Sequence, residues 1–121
     1  MLIVDESTYF IHLTAGDNGT VGFTLDATLS DESTIPYEFQ PGDKVTFYLK
    51  HSSPYSEYLE KDMTIDFEEN VSILSFIPED TAKLPPGKYK YSCKIVCADN
   101  NEKYTFIENA IFEVGDQQED L

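Results

Sequence analysis

Alternation of apolar and polar residues is the feature that most constrains how this chain folds. In residues 88–98 one parity is apolar and holds Tyr89, Tyr91, Cys93, Ile95 and Cys97. Lysine and serine occupy most of the other parity. Because successive side chains of a β-strand point to opposite faces of a sheet, this pattern predicts a half-buried antiparallel strand with these five side chains in the core.

The same alternation recurs along the chain between clusters of Gly, Pro, Asn and Asp, which favour turns. It predicts further strands at 8–14, 20–29, 44–50, 63–67, 71–77 and 103–114, with a short strand or extended edge at 37–39. Residues 30–36 and 51–61 are predicted loops. In the last strand, Glu108-Asn109-Ala110 breaks the alternation and indicates a bulge or kink.

Helix contributes little to the predicted fold. Pro78 opens a stretch, residues 77–84, that suits about one helical turn. About seven strands without intervening helices predict an all-β, antiparallel β-sandwich. The 121 residues suffice for one domain, which we place at residues 1–115, followed by an acidic, disordered tail at 116–121.

The charge balance is strongly acidic, with 23 Asp and Glu against 8 Lys and Arg and a net charge of −15. Nucleic acid and anionic membrane surfaces are not expected as partners, because binding to either relies on Lys and Arg. Two interpretations of the acidity stay open: it keeps a β-rich protein soluble, or it faces a cationic partner surface. Neither a secretory signal nor a membrane-spanning stretch is expected from the pattern of apolar residues.

The two cysteines, Cys93 and Cys97, lie four residues apart in one predicted strand. At about 3.3 Å per residue their α-carbons are separated by roughly 13 Å, whereas a disulfide needs α-carbons within about 7 Å. We therefore expect two buried free thiols. Zinc ligation is not expected, because the second pair of ligands that zinc sites use is missing from the pattern.

Residues able to support catalysis are few. His12 and His51 are the histidines, and neither forms a recognisable nucleophile arrangement with Ser or Cys. Four acidic pairs match no calcium-binding loop and are interpreted as solvated surface: Asp5-Glu6, Asp31-Glu32, Glu68-Glu69 and Glu79-Asp80. No catalytic residue, cofactor or metal is therefore expected.

Aromatic residues outside the clearest strands are the candidates for protein contact. These residues are Tyr37, Phe39, Tyr48, Tyr55 and Tyr58. Tyrosine and phenylalanine are enriched in the centres of protein interfaces, so the five are predicted to form a contact patch. An equally weighted interpretation is that several of them cap the ends of the core.

One segment resembles the corner that precedes the sixth strand of immunoglobulin variable domains. Pro78-Glu79-Asp80-Thr81-Ala82 supplies a helical turn, and Tyr91 lies two residues before Cys93. A tyrosine at such a corner returns its hydroxyl to the backbone, and Tyr91 is the first candidate, with Tyr89 as its rival. The chain has no tryptophan and no cysteine in its second strand, so the resemblance implies an immunoglobulin-like sandwich without the disulfide.

A second resemblance covers residues 10–115 and is carried by turn and corner motifs. They are Gly16-Asp17-Asn18-Gly19-Thr20-Val21, the run 37–47 that contains Gln40-Pro41-Gly42-Asp43, Phe76-Ile77-Pro78-Glu79-Asp80-Thr81 and Leu84-Pro85-Pro86-Gly87-Lys88-Tyr89-Lys90-Tyr91. In these the chain is similar to small immunoglobulin-like structural proteins of phages of Gram-positive bacteria, including the N-terminal domain of baseplate upper proteins.

This resemblance implies a non-catalytic, protein-binding role in a phage or prophage virion, as a tail or baseplate accessory protein. Its partners would be other virion structural proteins, with a homo-oligomer also allowed, and assembly would take place in the host cytoplasm. The alternatives are a bacterial surface adhesion or carbohydrate-binding module and, third, an enzyme.

Overall fold

The chain is mostly β in a computed structural model that describes residues 1–28, 31–50, 57–82, 84–99 and 101–116. Within these residues the elements are β1 (Leu2–Val4), β2 (Ile11–Thr14), β3 (Gly19–Phe23), β4 (Asp26–Thr28), β5 (Thr34–Pro36), β6 (Lys44–Lys50), β7 (Glu57–Asp62), β8 (Thr64–Asp66), β9 (Val71–Phe76), α1 (Pro78–Ala82), β10 (Gly87–Val96) and β11 (Lys103–Gly115). The predicted all-β class is confirmed. The predicted tail, after Asp116, lies outside the described residues.

The strands form one large sheet and two smaller ones. The large sheet has six strands in the order β1-β2-β11-β10-β6-β7, and a second has three in the order β3-β9-β8. The hairpin of β4 and β5 forms the third. Neighbouring strands are antiparallel except for β2 and β11, which run parallel with Phe112 opposite Ile11. Strands β2 and β11, from opposite ends of the chain, thus meet inside the six-stranded sheet.

The two larger sheets contact each other through aromatic rings. Phe47 of β6 packs edge to face on Phe76 of β9, with ring centroids 5.5 Å apart. Tyr91 and Phe112, from the neighbouring strands β10 and β11, complete the cluster, and all four rings are buried. The apolar parity predicted for residues 88–98 is confirmed, since all five of its side chains are buried. Both cysteines are buried free thiols.

Two predicted loops contain strands. Residues 34–36 form β5, in which Ile35 lies opposite Ala27, and residues 57–62 form β7, in which Leu59 lies opposite Leu49. Both predictions were wrong because an edge strand has a partner on one side only and tolerates polar residues, which hides the alternation. Residues 51–56 lie outside the part of the chain that the structure describes.

The predicted strand 20–29 is divided in two. Its first half, β3, pairs with β9 until Phe23 lies opposite Ser72, and its second half, β4, pairs with β5 instead. The prediction was wrong there because alternation records which face is buried and not which strand is the partner. Tyr37-Glu38-Phe39 is not a strand and directly follows β5.

The predicted bulge in the last strand is confirmed. Tyr91 lies opposite Ala110 and Cys93 opposite Ile107, so β11 carries one residue more than β10 between these pairs. Asn109 adopts a φ of 55°, a value that asparagine tolerates better than most residues. Beyond the bulge the parity changes, so that Ile107 is buried.

The helical turn α1 is anchored by side chains on both sides of it. The Asp80 carboxylate accepts a hydrogen bond from the Ile77 N–H at 2.9 Å, as the third helical residue does in a capping box. The same carboxylate binds the Lys61 ammonium of β7. After the turn, the Tyr89 hydroxyl donates to the Pro85 carbonyl at 2.5 Å. Of the two corner candidates, Tyr89 is the one whose hydroxyl returns to the corner.

Candidate functional site

An open cleft of about 730 Å³ lies where β10 ends, and its size is typical of ligand sites. Its walls come from the turn before β2, the end of β3 with β4, the segment after β5, and the two strands β10 and β11. The lining residues are Tyr9, Phe23, Thr24, Leu25, Asp26, Ala27, Tyr37, Ile95, Cys97, Asp99, Tyr104, Thr105, Phe106 and Ile107. Five of these residues are aromatic.

The cleft exists because the chain leaves the three-stranded sheet after Phe23. The Leu25 carbonyl accepts a hydrogen bond from the Tyr37 N–H at 2.7 Å, which ties the two ends of the β4–β5 hairpin together. On the opposite wall the Cys97 N–H donates to the Glu102 carbonyl at 2.9 Å and closes the turn between β10 and β11. Phe23 and Phe106 meet edge to face across the base, with centroids 6.4 Å apart.

Tyr9 is held in the cleft wall in an unusual backbone conformation. Its φ of 61° is uncommon for a bulky side chain. The Tyr9 N–H donates to the Asp5 carbonyl at 2.8 Å, and the Tyr9 carbonyl accepts a hydrogen bond from the buried Tyr91 hydroxyl. Backbone strain of this kind costs about 1–3 kcal/mol and persists only where neighbouring contacts fix it. These contacts place Tyr9, 47% exposed, at the mouth of the cleft.

The Tyr91→Phe variant tests this anchoring. Removing the hydroxyl leaves the ring in the core and is expected to lower the free energy of unfolding by about 1 kcal/mol, measured by urea denaturation. Amide resonances of Tyr9 and its neighbours should shift in the same variant. Tyr89→Phe is the matched control, with a similar stability loss and shifts confined to the corner near Pro85. Shifts at Tyr9 in both variants alike would contradict the proposed anchor.

Tyr37 is fixed through its hydroxyl, which donates to the Asp43 carboxylate at 2.7 Å. Burial raises the pKa of Asp43, but the N–H groups of Gln40 and Ala98 and the Tyr37 hydroxyl outweigh it, and the net pKa is lowered. Burial raises the pKa of Tyr37, and hydrogen bonds to Asp43 and Cys97 raise it further. The tyrosine is thus neutral beside an ionised carboxylate.

Asn70 holds the same segment from behind. Its side-chain oxygen accepts from the Phe39 N–H and its amide donates to the Tyr37 carbonyl, both at 2.9 Å. The segment 37–39 lacks a strand partner, and this asparagine supplies the hydrogen bonds that a partner would give.

The open side of the cleft carries negative charge. Asp26 and Asp99 line it, and Lys, Arg and His are absent from the described lining residues. Tyr104, 52% exposed, donates its hydroxyl to the Glu102 carboxylate, and this hydrogen bond raises the Tyr104 pKa. The arrangement therefore combines exposed tyrosine rings with carboxylates.

The histidine that the structure describes does not line the cleft. His12 contacts Glu113 at 2.7 Å, between the paired strands β2 and β11, and His51 lies outside the described residues. Among the described side chains no three His, Cys, Asp or Glu residues come together as a set of metal ligands. The described chain also holds no helix long and apolar enough to cross a membrane.

The thiols provide a direct chemical test of burial. Cys93 has no exposed surface, and burial raises its pKa to about 12 from the ordinary 9.0. Because the thiolate is the reactive form, iodoacetamide at pH 8 is expected to label Cys93 at least about a hundredfold more slowly in the folded protein than in urea. Peptide mass spectrometry measures both rates. Equal rates in the folded and unfolded protein would contradict this burial.

The structure describes the side chains of three of the five residues predicted as contacts, and these three do not form one exposed patch. Tyr37 lines the cleft, whereas Phe39 is buried and packs on Tyr37 with centroids 5.6 Å apart. Tyr48 follows Phe47 in β6, so its side chain belongs to the other face of the strand. There the Lys94 ammonium lies over the Tyr48 ring. Tyr55 and the side chain of Tyr58 lie outside the described residues. Phe39 thus caps the core, as the second interpretation has it.

Tyr9 and Tyr104 were not predicted from the sequence as site residues. Tyr104 shares parity with core residues of the last strand and lies opposite the buried Ile95, yet it is exposed near the start of β11. Tyr9 stood within a predicted strand, but the chain turns at residues 6–8 before β2 begins. The signal available for Tyr9 was the polar run Asp5-Glu6-Ser7-Thr8, which favours a turn.

Compared with known proteins, the chain matches no protein-family model and no curated protein. Its function is therefore inferred from its residues, its sheets and its cleft.

Proposed function

We propose that the chain is an immunoglobulin-like β-sandwich that acts as a non-catalytic, protein-binding module of a phage or prophage virion, in the tail or baseplate. The observation that carries the binding role is the cleft with the exposed rings of Tyr9 and Tyr104 at its mouth. Tyrosine supplies large contact area at low entropic cost, which suits protein interfaces.

The strand order supports the immunoglobulin-like part of the proposal. If β3 and β6–β11 correspond to strands B, C, C′, D, E, F and G of a variable domain, the sheets hold the C′CFG and BED sets. The helical turn α1 then lies between strands E and F, and the Tyr89 hydroxyl bond to Pro85 takes the place of the tyrosine corner. The contact between Phe47 and Phe76 joins the two sheets, as the facing layers of a sandwich require, and so supports the proposal.

The virion role rests on the resemblance of residues 10–115 to phage structural proteins and is tested on particles. Particles released from the host are purified on a density gradient and their proteins quantified by mass spectrometry. We expect the chain to co-sediment with tail proteins at a fixed stoichiometry that resists a high-salt wash. Recovery only in the soluble fraction, from a culture that yields intact particles, would overturn the virion role.

One observation favours a second candidate function. Exposed tyrosine rings beside carboxylates also suit a surface adhesion or carbohydrate-binding module, because sugars offer hydroxyl groups and apolar faces. Fractionation of the host separates this candidate from the first. A surface module would be recovered with the cell wall, whereas a virion protein would be recovered with the particles.

A further inference from the structure

We infer that the cleft binds a cationic side chain, arginine or lysine, presented by an extended segment of a partner protein. This inference rests on the proposed protein-binding function and adds the chemistry of the partner. Three observations support it: the negative charge of the cleft, its exposed aromatic rings, and the hydrogen bonds that hold its wall in place.

The charge of the cleft selects the sign of the ligand. Asp26 and Asp99 are exposed carboxylates of the lining, and Glu102 accepts the Tyr104 hydroxyl at the same rim. Lysine, arginine and histidine are absent from the lining that the structure describes. An anionic ligand would meet like charge here, whereas a guanidinium or ammonium group finds carboxylate acceptors.

The exposed rings favour a cation for an independent reason. The face of an aromatic ring attracts a cation within about 6 Å, and the attraction strengthens when water is excluded. Tyr9 and Tyr104 are about half exposed, and Phe106 lines the same cleft. Elsewhere on the molecule Lys94 already uses such a contact, 5.3 Å from the ring centre of Tyr48.

The wall is positioned before any ligand arrives. Tyr9 is fixed through the Tyr91 hydroxyl, and Tyr37 through Asp43 and Asn70. A site already in its binding geometry loses less entropy on association, which raises affinity. A volume of about 730 Å³ exceeds one side chain, so residues flanking the cation also fit, as an extended segment would provide.

The chain itself is a poor source of this ligand. Its last six residues, Asp116-Gln117-Gln118-Glu119-Asp120-Leu121, contain three acidic residues and no basic ones. A second copy brings a net charge of −15 toward the same acidic surface. Charge complementarity therefore assigns the cleft to a basic segment of a different protein.

Two blocked tripeptides test the inference on the full chain labelled with ¹⁵N. Acetyl-Gly-Arg-Gly-amide and acetyl-Gly-citrulline-Gly-amide are titrated separately into the labelled chain. The citrulline peptide has nearly the same shape and no charge. We expect the arginine peptide to shift amide resonances around Tyr9, Asp99 and Tyr104. Its affinity should exceed that of the citrulline peptide by about tenfold.

Single substitutions locate the effect. Asp99→Asn and Tyr104→Ala are expected to weaken arginine binding by about threefold or more, and both sites are exposed, so folding is preserved. Glu79→Gln removes the same charge as Asp99→Asn but lies in α1, at the other end of β10, and should leave binding unchanged. Diacetylchitobiose serves as the neutral sugar probe.

Equal affinity for the two peptides, no binding of either, or equal effects of Glu79→Gln and Asp99→Asn would overturn the inference. Shifts caused by the sugar alone would overturn it in favour of carbohydrate binding. The particle measurement is independent of these results. If the chain enters particles but does not bind the arginine peptide, only the inference about the cationic ligand is contradicted. If it binds the arginine peptide but does not enter particles, only the virion role is contradicted.

Discussion

Replacing Phe47 by alanine is expected to lower the free energy of unfolding by about 3–5 kcal/mol, measured by urea denaturation followed by circular dichroism. Phe47 has no exposed surface. Its ring lies 5.3 Å from that of Tyr91, 5.5 Å from that of Phe76 and 5.9 Å from that of Phe112. Alanine therefore leaves a cavity at the contact between the two larger sheets. Since domains unfold at about 5–15 kcal/mol, such a loss is a large fraction of the total stability.

Phe67→Ala is the matched control, because it removes the same side chain from a position that is 52% exposed. This variant should change the free energy of unfolding by less than about 0.5 kcal/mol. Phe47→Leu, which keeps most of the volume, should cost clearly less than the alanine variant. Similar losses for Phe47→Ala and Phe67→Ala would show that the sheets do not meet through this ring.

The second large effect is expected at the ion pair between Lys61 and Asp80. Their side chains are 19% and 11% exposed, and the Lys61 ammonium also lies 5.8 Å from the ring centre of Phe76. Removing one partner leaves a shielded charge without its counter-charge. We expect Lys61→Met to lower the free energy of unfolding by about 2–3 kcal/mol, below the full cost for a completely buried pair.

A double-mutant cycle separates the pair from its surroundings. Asp80→Leu should cost at least as much as Lys61→Met, because the Ile77 N–H also loses its acceptor. The double variant should recover at least about 1 kcal/mol relative to the sum of the two single losses. Lys44→Met is the control, since Lys44 and Asp62 are 62% and 65% exposed and such pairs contribute little. Additive losses would contradict a direct interaction.

The sequence was sufficient for the elements that have one buried face. Alternation identified β6, β9 and β10 because Val45, Phe47 and Leu49 and the five apolar side chains of residues 88–98 are buried without a break. It failed for β5 and β7, where edge position relaxes the demand for apolar residues. Alternation could not predict which strands pair, since the parallel contact of β2 with β11 joins residues about a hundred apart in the chain.

The site was less predictable than the fold. Tyr37 was selected as an aromatic residue outside the clear strands and does line the cleft. Tyr104 was hidden because it shares the parity of the core residues Phe112 and Val114 and yet is exposed near the start of β11. Tyr9 was hidden because its place depends on a backbone conformation fixed by Tyr91, from a strand distant in sequence. The polar run before Tyr9 indicates a turn, but it does not indicate the contact with Tyr91.

The proposed binding function relates the core contacts of the cleft to its exposed surface. Burial of Tyr91 serves the core, and its hydroxyl fixes Tyr9 at the mouth. Under the proposed function, the acidic surface distinguishes partners by charge, which is the second of the two interpretations that composition leaves open. The Tyr91→Phe variant tests the contact with Tyr9, and the Asp99→Asn variant tests the role of the charge.

The claim that the chain binds a partner protein through this cleft is tested most directly by photo-crosslinking in intact particles. Benzoylphenylalanine is introduced at position 104 in place of Tyr104 and, as a control, at position 48 in place of Tyr48, whose ring lies on the parity of β6 opposite the core residue Phe47. The account predicts that position 104 crosslinks to a basic segment of one virion protein and that position 48 does not. Equal crosslinking from both positions, or crosslinking from position 48 alone, would contradict it.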